Sequence, residues 1–117
     1  MRVLIALLIL FIPQILFAEN IKGVDVDRLA NAIYKAEGGS KTRYPYGILT
    51  KYKTTTPRQA CINTIKHALR DWNGKGDFIK FLGARYCPVG AKNDPKGLNK
   101  NWVKNVTYYY VLLYERG

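Results

Sequence analysis

Glu37 is the residue in this chain whose type and position most directly suggest chemistry. It follows Ile33 by four positions, Ala30 by seven and Val26 by eleven, so it falls on the apolar stripe of the helix those residues define, at the C-terminal end. Burial disfavours the charged form of a carboxylate, and the negative end of a helix dipole acts in the same direction, so its pKa is expected to rise. A carboxyl that keeps its proton at working pH is what a general acid needs to protonate a glycosidic oxygen. The structural alternative is a helix-end Glu that turns to solvent or pairs with a Lys or Arg.

Partners for such an acid are few. Asp25 and Asp27 sit at the far end of the same helix, roughly 15 Å away at 1.5 Å per residue. Asp77 reads as a helix N-cap, Asp71 shares a polar face with His67, and Glu115 is near the terminus. Asp94, in a Gly-, Pro- and Asn-rich loop over 88–100, is the one carboxylate free to approach, so a single-acid mechanism is favoured. Cys61, Cys87 and His67 lack the number and close spacing of a four-ligand zinc site. No metal and no cofactor are expected, and His67 reads as a surface residue.

Four helices must position these groups. The first opens at Asp25 or Asp27 as N-cap, carries Val26, Leu29, Ala30 and Ile33 inward, and stops at Gly38-Gly39. The second opens with Thr56-Pro57-Arg58-Gln59, which has the form of a capping box with Pro at the first helical position. It buries Cys61, Ile62, Ile65, Leu69 and Trp72 and ends at Asn73-Gly74. The third starts at Asp77 and presents Phe78, Phe81, Leu82 and Ala84 before Cys87-Pro88. The last sets Trp102, Val103, Val106, Tyr109, Tyr110 and Leu113 on the core. Between the first two, 41–55 reads as a loop or small hairpin. The fold class is mainly α, one small helical domain over 19–117 with a minor β or loop element after the first helix.

Composition sets the surroundings. Apolar residues make up 48% and charged residues 23%, which excludes disordered and collagen-like classes. Nineteen Lys and Arg against eight Asp and Glu give +11, which implies an anionic partner: nucleic acid, membrane or cell wall. Residues 1–18 have a charged start, an apolar run and a small residue at Ala18, the pattern of a secretory signal peptide. The run is shorter than a spanning helix needs and is interrupted by Pro13 and Gln14, so cleavage near Ala18 and a secreted or periplasmic chain with no stable membrane span are expected. In an oxidising compartment Cys61 and Cys87 are expected to pair.

Ala36-Glu37-Gly38-Gly39-Ser40 followed by Tyr46-Gly47-Ile48-Leu49 resembles the lysozyme-like superfamily, especially the SLT-type lytic transglycosylases. Those enzymes carry a helix-terminal Glu, then Ser and Gly residues, then a Gly-apolar-apolar-Gln stretch. Asn101-Trp102-Val103-Lys104-Asn105-Val106 looks like their aromatic-Val-x-x-Val pattern opening a late helix, and the resemblance spans roughly Val24 to Tyr110. Gly38 stands where the family has Ser, and Thr50 where it has Gln. The resemblance implies an α+β lysozyme-like fold and cleavage of the β-1,4 bond between N-acetylmuramic acid and N-acetylglucosamine, with Glu37 catalytic. Either the sugar's own hydroxyl closes a 1,6-anhydro end, or a positioned water hydrolyses the bond. Gly47 and Thr50 would help position substrate, and Tyr44, Tyr46, Tyr86, Asn99 and Trp102 would supply ring faces and an amide. For Tyr46 and Trp102 a core position is an equal alternative; Phe78, Phe81, Tyr109 and Tyr110 read as core. Peptidoglycan glycan strands are the expected partner of a monomer. The rivals are a helix-turn-helix nucleic-acid binder, against which export argues, and a non-catalytic basic protein binding wall or membrane.

Overall fold

The computed structural model describes residues 19–48, 53–86 and 100–116. Residues 1–18, Thr50, Cys87, Asp94 and Asn99 lie outside them.

The described chain opens with a hairpin of two-residue strands, β1 (Asn20–Ile21) and β2 (Val24–Asp25), paired antiparallel with Asn20 opposite Asp25 and Ile21 opposite Val24. Its turn residues Lys22 and Gly23 both have positive φ, the backbone of a two-residue turn whose twist matches the strands. Lys22 then reaches across the molecule, and its Nζ donates to the carbonyls of Leu69 and Trp72, each at 2.6 Å.

Four helices follow: α1 (Val26–Ala36), α2 (Pro57–Asp71), α3 (Phe78–Tyr86) and α4 (Lys100–Arg116). Side-chain caps fix three of the starts, because the first N–H groups of a helix have no partner within it. Asp25 Oδ1 accepts from the Arg28 N–H at 3.0 Å, and Thr56 Oγ1 from the Gln59 N–H at 3.1 Å. Asp77 Oδ1 accepts from Ile79 at 2.9 Å and Lys80 at 3.4 Å. The capping box at Thr56 is half made, since the Gln59 amide donates to Asn63 instead. Two 3-10 turns, Gly39–Lys41 and Pro45–Gly47, lie between α1 and α2.

The architecture is therefore mainly α with a minor β element, and the strands precede the first helix rather than follow it. Val26, Leu29 and Ile33 from α1, Cys61, Ile65 and Leu69 from α2, Leu82 from α3 and Val106 from α4 are fully buried together. The most extensive packing is between α1 and α4, which come from opposite ends of the chain. Trp72 packs at a tilt against Phe78 and donates its indole N–H to the Lys75 carbonyl, closing the turn between α2 and α3. On α3 the inward face differs from the expected one: Ile79 is buried and Ala84 exposed. Nine residues make barely two and a half turns, too few for the apolar pattern to fix the helix's rotation. Ile62 is half-buried at the margin of the core. No helix among the described residues is long and apolar enough to cross a membrane.

Candidate functional site

Glu37 is the C-cap residue of α1. Its N–H completes the helix by donating to the Ile33 carbonyl at 2.9 Å, and the Gly38 N–H returns to Lys35 at 3.2 Å. Gly38 (φ 106) and Gly39 (φ 58) then take the left-handed backbone that ends the helix at little steric cost. The Glu37 side chain stays on the inward stripe, half-buried, and two segments distant in sequence close on it.

The first is the Pro45–Gly47 turn. A Cβ on Gly47 would lie 3.1 Å from both Cδ and Oε2 of Glu37, so the missing side chain lets backbone rest directly on the carboxyl. The second is the start of α4, where the Trp102 indole Nε1 donates to Glu37 Oε1 at 2.8 Å. Tyr86, at the end of α3, links the two: its ring stacks on Trp102 with centroids 5.2 Å apart, and its hydroxyl donates to the Tyr46 carbonyl. Tyr46 in turn packs on Tyr34 at 5.1 Å.

Burial pushes the Glu37 carboxyl above its ordinary value of 4.5, and the Trp102 hydrogen bond, which favours the anion, opposes that rise without cancelling it. Oε1 accepts from the indole, and Oε2 lies beside Gly47. The Cys61 thiol lies behind this wall; burial pushes it up to about 11, against a hydrogen bond with Tyr86 and the field of Arg58, so it is a poor nucleophile at neutral pH. Its expected partner Cys87 lies outside the described residues.

Comparison with protein-family models, curated proteins and solved structures finds no match. Of the residues singled out in the sequence, Glu37, Tyr46, Gly47, Tyr86 and Trp102 come together, although 65 positions separate Glu37 from Trp102. Tyr46 is 9% exposed and Trp102 6%, so these two rings are buried instead of offering open faces. Tyr44, at 45%, is the exposed ring of this segment.

The other described carboxylates are occupied elsewhere or distant. Asp25 and Asp77 cap helices, and Asp27 meets Arg58 at 3.5 Å. Glu19 pairs with Lys66, and Asp71 with Arg85 at 2.8 Å, the contact that chiefly holds its carboxyl below the usual range. His67 is exposed, and no cluster of three potential metal ligands occurs among the described residues. Arg58 is the residue that sequence reasoning passed over. It counted there as part of a capping sequence, and nothing local signals that its guanidinium donates to the Tyr46 phenol at 3.1 Å.

Proposed function

We propose that this chain is an exported peptidoglycan-cleaving enzyme acting on the β-1,4 bond between N-acetylmuramic acid and N-acetylglucosamine, with Glu37 as its single catalytic acid. One observation carries the reading: a half-buried carboxyl, raised in pKa by burial and held through one oxygen by the Trp102 indole, with its other oxygen beside the bare backbone of Gly47. A structural ion pair would place a cation against this group and lower its pKa; here burial dominates. The resemblance at Ala36–Ser40, Tyr46–Leu49 and Asn101–Val106 supplies the substrate class. The +11 charge suits a polymer that bears peptide carboxylates.

In this mechanism Glu37 gives its proton to the glycosidic oxygen as the bond from that oxygen to the muramyl C1 breaks. The resulting carboxylate then takes the proton from the muramyl hydroxyl that attacks C1, leaving a 1,6-anhydro end and a regenerated acid. The described carboxylates Asp25, Asp27, Asp71 and Asp77 are engaged by helix N-termini or by arginines, and this favours the transglycosylase over a hydrolytic muramidase.

The deciding experiment incubates purified murein sacculi with the protein and with its Glu37→Gln variant, with product ends read by mass spectrometry. Gln keeps the shape and loses the proton, so cleavage falls by at least about 100-fold, the scale of general acid catalysis, while wall binding persists. Products heavier by one water would mean a hydrolase and would point to Asp94. Undiminished cleavage by Glu37→Gln removes the assignment of Glu37. Wall binding without cleavage by the wild type leaves a non-catalytic wall-binding protein.

A further inference from the structure

We propose that Arg58 is a positioning residue, holding the Tyr46–Gly47 turn down on the Glu37 carboxyl from its place on α2. The inference rests on the reading of Glu37 as a proton donor. Arg58 Nη1 donates to the Tyr46 phenol oxygen at 3.1 Å and to Asn31 Oδ1 at 2.8 Å, and Nη2 lies 3.5 Å from Asp27 Oδ1. Asp27 and Asn31 are one turn apart on α1. One planar guanidinium thus ties α1, α2 and the turn together, a task for a forked donor and not for a point charge.

The turn needs holding. Tyr46 has φ 62, a left-handed conformation that is strained for a bulky non-glycine residue. Its backbone carbonyl is fixed by the Tyr86 hydroxyl and its phenol by Arg58, so the residue is held at both backbone and ring, and the next residue, Gly47, is the one that covers Glu37. Releasing the phenol end lets the turn lift and admits water to the carboxyl. Among the described residues, the groups facing Glu37 from the packed elements are the Trp102 indole on α4, the Cys61 thiol on α2 and the Tyr46–Gly47 backbone; Arg58 reaches it through Tyr46.

That indirect route gives the test a sign. Losing a nearby cation by direct electrostatics raises a carboxyl pKa, whereas losing a cover that keeps water out lowers it. The experiment is a carbon-13 NMR titration of the Glu37 carboxyl in the wild type, Arg58→Met, Arg58→Lys and Tyr46→Phe, with melting temperature and the pH profile of murein cleavage measured in parallel.

In Arg58→Met and Tyr46→Phe the Glu37 midpoint moves down toward 4.5, and the alkaline limb of the cleavage profile moves with it. Cleavage falls by about 10- to 100-fold, the scale of a small misplacement of a reacting group. Arg58→Lys recovers part of the shift, since an ammonium keeps the charge but lacks the planar fork that spans all three acceptors. A midpoint that rises means direct electrostatics and overturns the proposal. An unchanged midpoint with a lowered melting temperature reduces Arg58 to an ordinary structural tie and overturns it equally. Tyr46→Phe removes a single oxygen and supplies the answer where Arg58→Met does not fold. The NMR midpoint needs no substrate: if Glu37→Gln keeps full activity while the shift is observed, the proton-donor reading fails and the clamp stands.

Discussion

Gly47→Ala isolates the close approach of backbone to carboxyl. The added Cβ would meet Glu37 Cδ and Oε2 at 3.1 Å and Oε1 at 3.3 Å. Ordinary carbon–carbon contact is about 3.5–4.0 Å, so the carboxyl must retreat by about half an ångström. That displacement takes the 2.8 Å bond from Trp102 toward about 3.2 Å, the outer edge of a good hydrogen bond. Gly47 also has φ 69, where an L-residue costs about 1–2 kcal/mol, equivalent to a fall in melting temperature of roughly 5–15 °C for a domain of this size. Gly74→Ala is the matched control, with φ 81 and nothing within 4 Å of its Cβ, so it bears the backbone cost without the contact. Both variants should melt earlier, Gly47→Ala by at least as much as Gly74→Ala. Gly47→Ala alone should move the Trp102 indole proton resonance and lose about 10- to 100-fold in kcat/KM on murein. If the indole resonance and the activity of Gly47→Ala match those of Gly74→Ala, the approach of Gly47 to Glu37 has no functional meaning.

Further outcomes follow from the same geometry. Trp102→Phe removes the donor that opposes the rise of the Glu37 pKa, so the carboxyl keeps its proton to higher pH; the alkaline limb of kcat/KM moves up even as the rate falls. A carboxyl raised on folding contributes stability that is fully present below its unfolded value and is lost as pH rises through its folded value. Glu37→Gln escapes that loss, so its melting temperature relative to wild type climbs from acid to neutral pH, as calorimetry across that range would reveal. A Cβ at Gly83 falls 2.9 Å from Val103 Cγ2 and 3.2 Å from the Trp102 ring. Overpacking of about 1–3 kcal/mol there outweighs the helix gain of about 1 kcal/mol, so Gly83→Ala should lower the urea midpoint with an unchanged slope.

The helices were legible because their signals are local. Asp25, Thr56 and Asp77 stand where caps belong, and Gly38-Gly39 ends α1 as glycines do. Glu37 was legible for the same reason, a charged residue on an apolar stripe. What holds it was less so. A family resemblance had brought in Gly47 and Trp102 only as substrate-binding residues, and the hydrogen bond itself joins residues that no periodicity connects. Arg58 was hidden because Arg at the start of a helix reads as an exposed cation, and its acceptors Asn31 and Tyr46 come from other elements. The hairpin was missed for its brevity: two residues per strand give no alternation to detect, and the Lys22-Gly23 turn lies beside a leader-like run that dominates the composition of that end.

Packing of α1 mainly against α4 has a consequence for the order in which the molecule comes into being. The chain leaves the ribosome, and any export channel, with its N-terminal end first. Until α4 has followed, Val26, Leu29 and Ile33 lack part of their cover, Asp25 lacks the Tyr110 hydroxyl 85 positions away, and Glu37 lacks its indole. Closing such distant pairs is the slow part of folding. A chain released as far as residue 86 holds three of the four described helices, and Glu37 still lacks its indole partner. The surroundings of the carboxyl are completed last, when α4 docks on α1.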